Sequence, residues 1–246
     1  MYRYFIEVSY KGTQYAGFQI QPNAVTIQKK VQEAFSIYFK QNVALICSSR
    51  TDAGVHAVKN IFHFDSTTHF TEDIAKKGTY SINAILPNDI VVLNFYQVDL
   101  SMHARFSPVS RLYEYHIYQS KNPFLLDRAY YFPYKLNIDL LNQAANCILN
   151  NTDFSAFSKK HTQVHTNNCK IYHSHWSIQN NLLIYKVEGS RFLRGMVRGL
   201  VGTMLKVGTQ KISLDQFVDI IKSKDQSKAD FSTPPQGLYL INVKLH

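Results

Sequence analysis

Tyr2, Tyr4, Ile6, Val8 and Tyr10 alternate with other residues along the start of the chain, a period of two that predicts a strand over 2–10. A turn-rich stretch with Gly12, Gly17 and Pro22 follows, and Thr26 then caps a helix whose apolar face is Ile27, Val31, Phe35 and Tyr38. Strands are expected near 43–48 and 57–65. Thr71 caps a second helix with Glu72 and Asp73 in its first turn, and Ile90 to Val98 reads as a buried strand. The order is β-α-β-β-α-β.

A similar order begins again at Arg111. The strand Leu112 to Tyr118 leads to a helix capped by Asn137, with Leu141, Ala145 and Ile148 on one face. Lys170 to Ile178 and Leu182 to Glu188 form a hairpin about Asn180-Asn181. A helix from about Arg191 to Lys206, another near 214–223 and a strand from Leu238 to Leu245 complete it. The chain therefore reads as α+β, two split β-α-β (ferredoxin-like) halves without a sequence repeat, joined near 106–110. The domains are 1–106 and 107–246, and the cleft between two sheet-based halves is the natural place for a site.

Composition narrows the class. The 246 residues are 45% hydrophobic and 13% aromatic, ample for packed cores. Only 18% are charged, against about 25% in ordinary globular chains, and the 27 basic residues outnumber 17 acids to give +10. The excess comes from missing acids, which argues against a basic disordered tail. It is also local: Phe154 to Leu214 holds nine basic residues and one acid, and Ala34 to Phe64 three basic residues and one acid. Such fields suit either an anionic partner, nucleic acid first, or a solvated lysine-rich face. No run approaches the ~18 apolar residues of a membrane span, and the strand-like start does not resemble a signal peptide. Three widely spaced cysteines fit a soluble protein of a reducing compartment, hence a cytoplasmic one.

Candidate chemistry concentrates in few places. Ser48 to Ala57 joins two strands and holds Asp52, the one acid between Ala34 and Phe64. It serves either as a turn or as a site in which Arg50, two residues away, keeps a nucleophilic carboxylate ionised. Arg191, Arg194 and Arg198, three of eight arginines, fall at i, i+3 and i+7 opposite the apolar stripe of the predicted helix. Gly195, Gly199 and Gly202 line the strip beside them, which calls for close approach of another backbone or a ligand. Tyr113, Tyr115 and Ile117 share a strand face, for core packing or for stacking on an unstacked base. The row His161, His165, Cys169 and His173 is set aside as a metal site, because Asn167-Asn168 and the alternation after them break the helix it would need. Gly12 to Gly17 lacks the Lys-Ser/Thr of a P-loop.

The segment Arg50-Thr51-Asp52-Ala53-Gly54-Val55-His56-Ala57 resembles the signature of the tRNA pseudouridine synthase A family. Tyr10 to Gln19, Leu86-Pro87-Asn88-Asp89-Ile90, His103-Ala104-Arg105-Phe106-Ser107, Arg111 to Tyr115, Asp153 to Phe157, Met196-Val197-Arg198 and Gly237-Leu238 follow in family order. The resemblance implies a pseudouridine synthase fold with a central cleft. It further implies isomerisation of uridine to pseudouridine at positions 38, 39 and 40 of the tRNA anticodon stem-loop, by a homodimer without metal or cofactor. Asp52 matches the nucleophile, Arg50 the arginine that flips the nucleotide out, Tyr113 the tyrosine that stacks on uracil, and Arg198 the basic partner of the aspartate. Arg191 and Arg194 are expected to bind substrate. The chain departs from the family at Gly195, where a bulkier residue is common, and at Asp230, where glycine is usual. A noncatalytic RNA-binding protein is the alternative that needs the basic fields but not Asp52.

Overall fold

The computed structural model describes residues 1–159 and 166–245. The chain divides into two compact units, one of Met1–Val109 with the C-terminal segment from Leu240, the other of Ser110–Tyr239.

The first unit carries β1 (Tyr2–Tyr10), α1 (Ile27–Phe39), β2 (Ile46–Cys47), β3 (His56–Ser66), α2 (Glu72–Ile85) and β4 (Ile90–Val98). β1 pairs antiparallel with both β3 and β4, and β2 with the outer side of β3. Thr26 and Thr71 each accept from a backbone N–H three residues on, so both helices start where the cap residues predict. The sheet buries Tyr4, Phe64 and Phe95, which meet Phe35 and Phe39 of α1 and Phe70 in one aromatic cluster.

Two expectations need correction. β4 is a half-exposed edge strand: Ile90, Val92 and Phe95 are buried while Val91 and Leu93 face outward. The 43–48 strand shrinks to two residues because α1 side chains take its backbone hydrogen bonds. Ser36 Oγ accepts from Val43 N, Gln32 Oε1 accepts from Leu45 N, and Gln28 donates to Leu45 O.

The second unit carries β5 (Ser110–Tyr118), β6 (Tyr130–Tyr131), α3 (Ile138–Cys147), β7 (Ile171–Gln179), β8 (Leu182–Gly189), α4 (Met196–Gly208) and α5 (Leu214–Ser223). The last strand, β9 (Leu238–Lys244), spans the boundary of the units. β8 lies between β5 and β7, antiparallel to both, and β6 adds to β5 in parallel. Asn180 and Asn181 have φ of 49° and 61°, the paired left-handed residues of a two-residue hairpin turn. Asn137 caps α3, and Ser213 and Gln216 form a capping box on α5. Trp176, Tyr185, Leu141, Ala145, Leu200, Met204 and Phe217 build the core. Asn142 of α3 clasps both backbone groups of Trp176, which fixes that helix on β7.

The arginine helix is shorter at its start than its apolar stripe predicts. α4 begins at Met196, because Gly195 stands in the left-handed region with φ of 74°, outside any right-handed turn. Arg191 and Arg194 therefore precede the helix, and only Arg198 lies on it. The glycines nonetheless answer to a close approach. A Cβ on Gly202 would overlap the Asp230 carbonyl oxygen, and one on Gly199 would press into the Phe231 ring.

Candidate active site

In the first unit, the Asp52 loop leaves β2 at Cys47 and re-enters the sheet at His56. It is tied at almost every step. Ser48 N donates to Ile61 O, Phe18 N donates to Thr51 O, and Val55 N closes a turn on Asp52 O. Beneath it Asn60, fully buried, donates to Ser49 O and to the Tyr10 hydroxyl, which hydrogen-bonds Thr51 Oγ1 at 2.9 Å. His56 Nδ1 accepts from Gly12 N at 3.0 Å, so its proton sits on the other ring nitrogen when the ring is neutral.

The turn-rich stretch after β1 is the loop's second wall. Gly17, with φ of 95°, comes so near that a Cβ would stand 3.2 Å from Thr51 O and Ala53 N. Its carbonyl and that of Phe18 accept the first two N–H groups of α1. One short segment thus grips the loop on one side and the helix start on the other. Tyr15 donates to Asp89 at 2.5 Å, and burial, reinforced by that bond, raises its phenol well above the ordinary value.

Asp52 is half-buried at the loop's crest, whereas Arg50 is exposed. Cys47, at the start of the loop, carries a buried free thiol. Burial pushes that thiol up to about 12, with Arg50 and Arg105 both acting against the rise.

In the second unit the basic residues divide among three settings. Arg111 on β5 donates to Ser190 O, and burial lowers its pKa, with Arg191 adding to the effect. Tyr113 is only 8% exposed, its ring set edge-on to Phe192 at 5.1 Å. Tyr115 is buried outright, donates to Pro234 O and has its phenol raised by that burial, so it belongs to the core. Arg194 is exposed and borders an open hollow of about 430 Å³ with Lys159, Gln226, Ser227 and Phe231.

Arg198 Nε donates to Thr233 O at 2.8 Å, and Thr233 Oγ1 donates back to Arg198 O at 2.9 Å. This reciprocal clasp pins the 230–235 segment to α4. Asp230 fits it without glycine: its carboxylate accepts from Ser232 N and pairs with Lys206 at 3.1 Å, and its own N–H donates to Thr203.

The structure thus gathers Tyr113 and the Arg191-Phe192 stretch in one neighbourhood and places Arg50 and Asp52 on one loop. Sequence reasoning passed over the loop's supports, Tyr10, His56 and Asn60, and the Thr233 clasp. His56 and Tyr10 belong to the quoted motifs, but nothing in the order of residues shows which side chain meets which backbone group. Of the histidine row, His161 and His165 lie outside the described residues. Cys169 is buried, its thiol pushed up to about 11 by burial, and His173 sits on β7. Among the described residues no group of three or more His, Cys, Asp or Glu could hold a metal, and no helix is long and apolar enough to cross a membrane.

A family model described as tRNA pseudouridine synthase matches residues 149–245. Relatives named tRNA pseudouridine synthase A extend the similarity over the whole chain. The Parabacteroides distasonis protein is 39% identical over 99% of this chain and 96% of its own length. The Porphyromonas gingivalis protein is 41% identical over 99% and 97%. The Thermoanaerobacter pseudethanolicus protein is 38% identical over 97% of each chain. With similarity at this level over nearly the full length of each chain, the chain belongs to the tRNA pseudouridine synthase A family, a family of isomerases.

Proposed function

We propose that this protein isomerises uridine to pseudouridine in tRNA, at positions 38, 39 and 40 of the anticodon stem-loop, with Asp52 as the nucleophile. The observation that carries the reading is the Asp52 loop, a half-buried carboxylate on a crest held by backbone bonds from two flanking segments. Such a carboxylate meets a reacting atom without first having to be ordered. The net reaction breaks the bond from ribose C1′ to N1 and forms one from C1′ to C5; C5 loses a proton and N1 gains one. Nothing is oxidised or reduced, so no cofactor is called for. Asp52 attacks either the ribose or the uracil ring while the base is detached and turned.

Arg50 stabilises the flipped-out nucleotide, Tyr113 provides the face against uracil, and Arg198 is the basic partner of the carboxylate. Arg191 and Arg194 hold backbone phosphates. A Tyr113 already backed by Phe192 and an Arg198 already fixed by Thr233 support these roles, since a stacking face and a cation act best when their rotamers are locked. The two units are taken as ferredoxin-like halves of a pseudouridine synthase fold, acting as a homodimer in the cytoplasm.

The test is incubation with an unmodified tRNA transcript, followed by mapping of pseudouridine. We expect product at 38–40. Asp52→Asn is expected to bind the transcript within about twofold of wild type and to make no product. Turnover by that variant would sink the nucleophile assignment, and product elsewhere in the tRNA would discard the anticodon-arm site.

A further inference from the structure

The segment His103-Ala104-Arg105-Phe106-Ser107 is built more firmly than a connector requires. Phe106 N and Ser107 N both donate to His103 O, Ser107 Oγ accepts from His103 N, and His103 Nδ1 accepts from Arg105 N. Ala104 is fully buried and donates its N–H to Nδ1 of His63 on β3. From the other side Arg3 donates to Leu100 O and Met102 O.

This rigid turn displays an aromatic side chain to solvent. Phe106 is 72% exposed, with the Arg105 guanidinium 5.4 Å from its ring centre and His103 packed behind at 4.5 Å. Its position matters as much as its exposure. His63, on which the turn docks, is the cross-strand partner of Ile46, next to Cys47, where β2 hands over to the Asp52 loop. The charges of Arg50 and Arg105 both act on the Cys47 thiol against the effect of its burial, in keeping with two cations near the root of that loop. From Ala34 to Phe64, the stretch containing that root, Asp52 is the one acid.

We infer that Arg105 and Phe106 form a second RNA-binding element beside the catalytic loop. Arg105 takes a phosphodiester and Phe106 stacks on an unpaired base of the substrate strand flanking the target uridine. The inference rests on the functional reading above and extends it to a residue pair outside the chemistry. A bare aromatic face takes any base, and a guanidinium alongside suits the phosphate next to it. A fixed turn spares the complex the ordering entropy of a mobile loop.

The experiment measures dissociation constants and steady-state kinetics with an unmodified tRNA transcript for wild type, Phe106→Ala, Phe106→Tyr and Arg105→Ala. Melting temperature and sedimentation are followed for each. Phe106→Ala is expected to weaken binding about tenfold and raise KM in step, with kcat within about twofold. Phe106→Tyr is expected to restore wild-type affinity. Arg105→Ala should weaken binding and lower the salt slope of log K by about 1. Unchanged affinity in both alanine variants would overturn the inference. So would dissociation of a wild-type dimer by Phe106→Ala, which would give this face to a second copy of the chain. Wild-type protein that binds the transcript in the same Phe106-dependent way yet makes no pseudouridine would remove the enzymatic reading and leave this one standing.

Discussion

His63 shows how a single residue ties the sheet to the chemistry. It is 1% exposed, accepts the Ala104 N–H, and is lowered to about 4, first by burial and then by Arg3 and His103, with Asp65 acting the other way. An unfolded histidine titrates near 6.5. The unfolded chain therefore binds the proton first as pH falls, and stability present above pH 6.5 is lost between 6.5 and 4. The loss amounts to up to about 3 kcal/mol. Urea unfolding across that window is expected to show the decline in wild type and a flatter profile in His63→Asn, which keeps an acceptor for Ala104 but has no proton to gain. Asp65, held low by Arg3, loses its contribution only in more acidic solution. At this scale the sequence was partly readable. Asp52 stood out as the lone acid of its stretch, and Arg50 beside it; His63 did not, because its meaning depends on an N–H forty-one residues away.

Among the elements, α4 carries the most information. Its stripe Phe192, Leu193, Met196, Val197, Leu200 and Met204 runs on without a break, so periodicity alone extends the helix back to Arg191. The true start is set by the positive φ of Gly195, a backbone property that an apolar pattern cannot carry. Caps were more legible: Thr26, Thr71 and Asn137 each accept from the backbone N–H three residues on, since that bond is local. The contracted β2 was not, because its hydrogen bonds go to side chains of a helix rather than to a strand. Gly202→Ala separates helix propensity from packing. Propensity favours alanine by about 1 kcal/mol, but its methyl group would meet the Asp230 carbonyl. Denaturant unfolding is expected to show a net loss of about 1–3 kcal/mol, the cost of overfilling a tight contact.

For the molecule as a whole, net charge matters less than its placement. The +10 resides largely between Phe154 and Leu214, around Arg191, Arg194 and Arg198, with a smaller share around the Asp52 loop. Binding of tRNA is expected to weaken linearly in log K against log salt, and Arg194→Ala to reduce the slope by about 1 while weakening all tRNAs alike. Filter binding from 50 to 200 mM salt reads both. An unchanged slope would place Arg194 outside the phosphate contacts. The family was legible at this scale because its motifs recur in order along the chain. The networks that hold Asp52 and Arg198 were not, because each joins residues far apart in sequence.

Cys47 gives the Asp52 loop a built-in clock. The residue is 8% exposed and its thiol resists ionisation up to about 12, so alkylating reagents meet a protonated, covered thiol while the loop stays closed. Each reaction at this cysteine then records an opening of the strand end from which Asp52 departs. The half-exposed Cys147, on the other unit, supplies an internal reference for reagent strength in the same sample. Loop dynamics that crystallography or activity assays would average away become countable by mass, one thiol at a time, with and without RNA.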